Sequence, residues 1–444
     1  MSLTIEKLQL GRHSTARDAA LAIVTLQPGE TLLSVPSWTT ALLPSEKSRR
    51  CDWCGRLSPP GESLKKCSGC GCYWYCGSKC QLRQWKAHHK YVCKHYTRYE
   101  ASPAFQVLSD EDKVDAILLS NTLGHLNQPE LDASPSLADS PHIVFDSLVQ
   151  HRPAGFSVPP ICGSMSKTYT DSEIVDIYAR FGNNNFVLHS HLTPFAHGVF
   201  PLASRLFNHS CIPNAVAKFV LNTGEQPRME VVAISEIQKD EEITIPYLDP
   251  AIPLDVRQHQ LQSRYGFTCT CPLCLFQQSI SPVPLAPPTE LKTLEAALRL
   301  AIKPEGSEIL TLPRGWDLPS LPERLYPLLH PTYLPALSET FSKASHEGDY
   351  LTALESGLTL LALYGTIYPV NYPLIGMHSL ELAKTAWNAS IAGVSGRSEE
   401  EIVADARLYL QLARQVLDIL GPEGDPGGPA EETTTLLQLL DEQQ

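Results

Sequence analysis

Seven consecutive residues, Asn208-His209-Ser210-Cys211-Ile212-Pro213-Asn214, set two carboxamides, an imidazole, a hydroxyl and a thiol between two apolar runs, Phe200 to Phe207 and Ala215 to Leu221. Polar groups in such a setting need partners once buried. A polar turn bent by Pro213 would satisfy them from its own backbone. A binding segment would instead hold a polar ligand on its amides and imidazole while Cys211 faces a metal ion. Downstream residues favour the second. Tyr247 follows the acidic turn Asp240-Glu241-Glu242, and Cys269, Cys271 and Cys274 offer three thiols that Cys211 would bring to four. Four thiolates make a closed tetrahedral zinc site.

A denser metal signal lies earlier. Cys51-x-x-Cys54 and Cys67-x-x-Cys70 each place two thiolates on one tight turn. Cys76-x-x-x-Cys80 and His89-x-x-x-Cys93 each place two ligands on one helical face. Eight ligands make two closed sites, with no position left open for catalysis. Cys72 is left over and reads as a small buried thiol. The same stretch carries Arg49, Arg50, Lys65, Lys66, Lys79, Arg83, Lys86, Lys90 and Lys94 with few acids. Such a local basic face is either solvated or contacts an acidic or proline-rich partner, with DNA phosphate as the weaker alternative.

The elements that must position these groups follow from pattern. Ile5 to Leu10, Ala20 to Thr25 and Thr31 to Val35 read as short strands, with a polar loop from Gly11 to Asp18. Asp110 to Leu123 and Asp171 to Phe181 have helical spacing. Asn127 to Ser140, rich in Pro, Ser and Asp, reads as disordered. Strands Ala215 to Leu221 and Met229 to Ile234 flank the turn Asn222-Thr223-Gly224, and Val256 to Tyr265 reads as a helix. Ser279 to Pro288 is a proline-rich linker. From Glu290 the pattern is helical. Ser398-x-x-Glu401 is a capping box ahead of one apolar stripe, Ile402, Ala406, Tyr409, Leu410, Ala413, Val416, Leu417 and Leu420.

Composition bounds the class. With 444 residues the chain has room for two or three domains. Its 43% hydrophobic and 19% charged content describes a globular protein. A formal net charge of -13 argues against a general nucleic-acid binder and suits a lysine-rich protein substrate. No apolar run nears the roughly 20 residues that span a bilayer, so no membrane partner is expected. Glu6 and Lys7 interrupt any leader. Thirteen cysteines in repeated Cys-x-x-Cys pairs then suggest metal binding in a reducing compartment, cytoplasmic and nuclear, rather than disulfides.

The string Asn208 to Asn214 resembles the asparagine-histidine knot of the SET-domain protein lysine methyltransferases, which cradles S-adenosylmethionine. Asp240-Glu241-Glu242-Ile243 followed by Tyr247 resembles that family's Gly-Glu-Glu-Leu strand and catalytic tyrosine, and Cys269-x-Cys271-x-x-Cys274 its post-SET zinc cluster. Three motifs in the right order are specific where one alone is weak. The cysteine-rich stretch is similar to the MYND zinc finger, with Tyr75-Cys76, Cys80-Gln81, Trp85 and His89-Lys90 in place. A SET domain interrupted by a MYND finger resembles the SMYD proteins. Gly348-Asp349-Tyr350 through Tyr364, then Tyr368-Pro369-x-Asn371-Tyr372-Pro373, resemble their helical-repeat C-terminal domain.

This resemblance implies an α+β multidomain protein. Residues 1–48 and 96–268 would be the β-rich SET part and its insertion, and 49–95 the MYND finger. Residues 269–278 would be the post-SET cluster, 289–422 an all-α, TPR-like helical-repeat domain, and 423–444 a mobile acidic tail. It implies interleaved finger sites, Cys51, Cys54, Cys76 and Cys80 on one zinc, Cys67, Cys70, His89 and Cys93 on the other, with His89 preferred to His88. A third zinc would sit on Cys211, Cys269, Cys271 and Cys274. Tyr247 and Tyr265 would be catalytic. Asn208, His209, Asn184, Tyr247 and Phe267 would line the cofactor, with Arg12 and Ser14 near it, although only Gly11 stands where the family has Gly-x-Gly. The implied activity is methyl transfer from S-adenosylmethionine to a protein lysine, histone or other, by a monomer. The alternative is a catalytically weak adaptor that recruits partners through its finger and helical repeats.

Overall fold

The computed structural model describes residues 8–12, 18–59, 61–127, 140–152, 155–163, 168–182, 184–304, 310–312, 321–393 and 397–442. Its strands are β1 (Leu8–Arg12), β2 (Asp18–Ala22), β3 (Thr31–Pro36), β4 (Thr39–Leu42), β5 (Lys65–Lys66), β6 (Trp74–Tyr75), β7 (Asn185–Ser190), β8 (Thr193–Val199), β9 (Asn208–His209), β10 (Ala215–Val220), β11 (Arg228–Ala233) and β12 (Thr244–Ile245). They form small sheets: β1 with β2, β10–β11–β3, β4–β8–β7, β5 with β6, and β9 with β12. Only the β9–β12 pair is parallel among these. Met229, Val231 and Ala233 alternate along β11 and bury one face against Leu33, Phe195, Phe200, Phe207 and Phe219.

The first two strands differ from the expected Ile5 to Leu10 and Ala20 to Thr25. They run Leu8–Arg12 and Asp18–Ala22, with Arg12 paired to Asp18. The second ends early because the chain turns to another partner: the Ala22 N–H donates to the Glu241 carbonyl and Leu26 exchanges hydrogen bonds with Ile237. Ile5 and Ser14 lie outside the described residues, as do 128–139 of the stretch expected to be disordered.

The cysteine-rich stretch lies between β4 and the helix Asp110–Leu126 and shares a core with Trp38, Tyr73, Tyr75, Tyr96, Phe145 and Phe181. It docks on the β10–β11 turn, where Trp53 Nε1 donates to the Gly224 carbonyl at 3.1 Å. Gly224 has φ +82°, which only glycine adopts freely. The expected basic face is divided. Lys65, Lys66, Lys79, Lys86 and Lys94 are exposed. Arg83 reaches the Gly224 carbonyl. Arg50 is buried and donates to Glu46 Oε2 at 2.8 Å and Asp425 Oδ2 at 2.5 Å. Cys72 is half-exposed rather than buried, its thiol on the Cys70 carbonyl at 3.1 Å.

The remainder is helical: Pro288–Ile302, Tyr333–Glu347, Tyr350–Ile367, Pro373–Ala392, Glu399–Leu420 and Pro429–Glu442. Ser398 and Glu401 cap the fifth of these reciprocally, and the expected stripe is buried save Leu417, which is partly so. A Cβ at Gly357 would lie 2.7 Å from Phe341 and Leu382, so this glycine lets neighbouring helices approach closely. Val216 and Ile234 join the helical core, tying it to the β10–β11 sheet.

The expected mobile tail is instead packed. Pro429–Glu442 is a helix that buries Thr433, Leu436 and Leu440. Asp425 takes hydrogen bonds from Arg50, from Ser190 Oγ at 2.7 Å and from the Leu57 N–H at 3.2 Å. The acidic, Gly/Pro-containing composition concealed an i, i+4 leucine pair, which is enough to seat a helix on a preformed core.

Candidate active site and metal centres

The polar string folds as a knot because β9 lies parallel to β12, Asn208 opposite Thr244 and His209 opposite Ile245. Asn214 closes it: Oδ1 accepts from the Thr244 N–H at 2.9 Å, and Nδ2 donates to the Glu242 carbonyl at 2.8 Å. Asn208 Nδ2 donates to Glu242 Oε1 at 2.8 Å. These bonds hold the acidic turn against the knot and deliver Tyr247, two residues beyond β12, to its side.

His209 is engaged at both nitrogens. Nδ1 accepts the Tyr247 N–H at 2.9 Å, so the ring proton sits on Nε2, 3.2 Å from Cys211 Sγ. Burial holds its pKa down at about 4. The Tyr247 hydroxyl donates to the Phe207 carbonyl at 2.7 Å.

Tyr247, Tyr265, Phe267 and His209 form one aromatic cluster. Ring centroids are 4.9 Å apart for Tyr247 and Tyr265, 5.3 Å for His209 and Tyr247, and 6.0 Å for His209 and Phe267. All four are half-buried, and Tyr247, Tyr265 and Phe267 pack on the buried cysteines Cys211, Cys269 and Cys274. Tyr265 ends the expected helix, which runs as Leu254–Gln260 and a wider turn, Leu261–Tyr265, before Gly266 reverses the chain at φ +75°. Burial pushes the Tyr265 hydroxyl up.

Asn184 stands at the entrance to β7. Its carbonyl accepts from Ser204 Oγ at 3.1 Å, which links it to the helix Pro201–Leu206 that runs into the knot. The side-chain amide of Asn184 donates to the Arg180 carbonyl. Arg12 closes β1 opposite Asp18.

The twelve residues expected to ligate metal gather into three sets: Cys51, Cys54, Cys76 and Cys80; Cys67, Cys70, His89 and Cys93; Cys211, Cys269, Cys271 and Cys274. Within each set the ligand atoms all lie within 4.8 Å of one another. Zinc with sulfur ligands at about 2.3 Å in a tetrahedron sets neighbouring sulfurs about 3.8 Å apart. Cys211 Sγ lies 3.9 Å from Cys269 Sγ and 3.6 Å from Cys274 Sγ; Cys54 and Cys76 are 3.5 Å apart, Cys67 and Cys93 3.8 Å. A disulfide would need about 2 Å, and all thirteen cysteines are free. The three sets fit three zinc ions. His88, the rival to His89, is buried beside the second set but outside it.

Sequence reasoning missed Arg257 and Gln258, which brace the third set. Arg257 is fully buried, with Nη2 3.5 Å from Cys274 Sγ. Gln258 brackets the Cys269 peptide, accepting its N–H at 2.9 Å and donating to its carbonyl at 2.7 Å. Their signal was weak: two polar residues on a short helix just before a cysteine cluster.

Residues 21–248 match the SET domain family. Over 271 residues the chain is 31% identical to histone-lysine N-methyltransferase ASHR1 of Arabidopsis thaliana, covering 59% of this chain and 52% of that protein. It is 27% identical over 263 residues to N-lysine methyltransferase SMYD2-A of Xenopus laevis, covering 56% of each. With histone-lysine N-methyltransferase SMYD3 of Homo sapiens, identity is 24% over 404 residues, covering 86% of this chain and 88% of that one. The matched stretch thus spans about half the length of the first two relatives.

Proposed function

The chain belongs to the SET-domain family and is of the SMYD type, and from that premise we propose that it is an S-adenosylmethionine-dependent protein-lysine N-methyltransferase. The observation that carries this is the half-buried aromatic cluster of Tyr247, Tyr265, Phe267 and His209, set against a knot of hydrogen-bonding amides. Amides on one wall and an aromatic face on the other suit a nucleoside with a charged end. Asn184, Asn208 and His209 would hold it, with Phe267 stacked beside it and Arg12, at the end of β1, as a further contact. S-adenosylmethionine, when bound, supplies a methyl carbon carried by a sulfonium leaving group.

The chain's own residues act on the lysine. An amine must be neutral to attack, and lysine is protonated near pH 7. The aromatic walls would exclude water and disfavour the ammonium. The Tyr247 hydrogen is engaged by Phe207, so its oxygen can meet the amine only as an acceptor, turning the nitrogen lone pair toward the methyl carbon. Tyr265 would line the other side. His209 would not act as a general base: Nδ1 takes the Tyr247 N–H and Nε2 faces the Cys211 sulfur, so both nitrogens are engaged. The site would work by alignment and desolvation, and the proton leaves to water.

The Cys51–Cys93 stretch would be a MYND finger that binds a peptide partner, and the helices from Pro288 a TPR-like recruiting surface. The interleaved ligand sets and the run of successive helices sharing one core support these readings. A soluble monomer acting in cytoplasm and nucleus is the setting that fits. Calorimetry with S-adenosylmethionine, followed by transfer of labelled methyl groups to lysines of a cell lysate, tests the activity. Binding without any labelled lysine, or no binding, would leave the adaptor function in its place.

A further inference from the structure

Arg257 presents an electrostatic puzzle. It is fully buried, yet among the described residues no carboxylate is hydrogen-bonded to it. Its partners are the Pro250 carbonyl at 2.8 Å, the Ile252 carbonyl, the Gln277 Oε1 at 2.6 Å and the Cys274 sulfur at 3.5 Å. A guanidinium keeps its charge at any ordinary pH, and a buried charge without a counter-charge is costly. The one partner able to carry negative charge is the cysteine sulfur. Four thiolates around a divalent zinc leave a net charge of two minus, and Cys211, Cys269 and Cys274 are buried. The cation therefore offsets one of the two negative charges of the loaded cysteine set.

The fork also joins two segments. Nη1 holds the loop that follows Tyr247, through Pro250 and Ile252. Nη2 holds the helix Pro272–Ser279, through Cys274 and Gln277. Both segments leave the aromatic cluster, one from Tyr247 and the other from Phe267. We propose that Arg257 is a positioning residue that offsets part of the negative charge of the zinc-loaded Cys211, Cys269, Cys271 and Cys274 set and locks it to the Tyr247 loop. Its effect on transfer rests on the methyltransferase reading; its effect on zinc does not.

The test follows zinc release from the full-length, zinc-loaded protein into a chromophoric chelator, with native mass spectrometry counting the ions that remain. Partners of metal ligands typically change affinity about 10- to 100-fold. Arg257→Met should release one zinc of three at least tenfold faster than wild type, while the two finger ions leave at the wild-type rate. Arg257→Lys, which keeps the charge and loses the fork, should fall between. Should Arg257→Met fail to fold, Gln277→Ala removes the carboxamide that aims Nη2 and should accelerate the same single ion to a smaller extent. Wild-type release from every folded variant, or equal acceleration of all three ions, would overturn the proposal. If the variants release zinc as expected and wild type transfers no methyl group, the enzyme reading fails and this one stands.

Discussion

The Tyr247 hydroxyl donates to the Phe207 carbonyl at 2.7 Å, joining residues 40 positions apart in the chain. That single bond fixes which way the phenol oxygen faces. It predicts a clean separation of effects in Tyr247→Phe. Cofactor binding should persist, because the ring and its neighbours remain. Transfer should fall by ~10²–10³, the usual loss on removing one positioned polar contact. Single-turnover kinetics with a lysine peptide measure this, and wild-type turnover would make Tyr247 a wall residue only.

Metal content should be three zinc ions per chain in protein purified without chelator, given three sets of four ligands. Plasma emission spectrometry decides the number. A reproducible two would remove one set.

Cys211→Ala should lose one zinc, weaken cofactor binding and abolish transfer together. Cys211 stands between His209, which reaches its sulfur, and the buried cysteine set. Cys162→Ala should retain all three ions, since Cys162 lies outside every set. Zinc and transfer are assayed on the same samples; a Cys211→Ala protein with full zinc would contradict the joined knot.

Much of this was legible in the sequence because ligand spacing is a local property. Cys-x-x-Cys and Cys-x-x-x-Cys fix sulfur separations within a turn, and the knot announced itself by polar density among apolar runs. The helix Asp171–Phe181 and the box at Ser398 and Glu401 were readable for the same reason. Arg257 was not, since its meaning depends on Pro250, Ile252, Cys274 and Gln277 converging on it. Arg50 looked like one more surface cation, because Asp425 is 375 residues away. The Pro429–Glu442 helix was hidden by composition: acidic residues and glycines around a sparse leucine pattern read as disorder until a core exists to receive it.

Stability should fall on acidification, with His378 a main contributor. It is buried on Pro373–Ala392, donates Nε2–H to the Gly357 carbonyl at 2.8 Å, and burial lowers its pKa to about 4. The unfolded chain therefore binds this proton first, near pH 6.5. The histidine's contribution is intact above that pH and is lost as pH falls toward 4, roughly 3 kcal/mol in all. Urea titrations between pH 4 and 7 should show a shallower decline in His378→Gln, which keeps a donor for Gly357 and does not titrate.

Asp425→Ala should destabilise the protein by roughly 3 kcal/mol, the loss expected when one member of a buried ion pair is removed. Glu46 still faces Arg50 and limits the damage. Denaturant unfolding gives the value. A change under half a kcal/mol would mean that Glu46 alone balances Arg50.

The Arg50–Asp425 pair also sets an order on biosynthesis. A ribosome delivers the cysteine-rich stretch early, and at roughly 5–20 residues per second the partner 375 positions later follows only after tens of seconds. During that interval the nascent cysteine-rich stretch has all eight of its candidate metal ligands, with Glu46 the carboxylate facing Arg50, while Ser190 and the Leu57 N–H await Asp425. Metallation can thus precede final assembly, and the late arrival of residues 420–442 would be the event that seals cysteine-rich stretch, sheet and helices into one body.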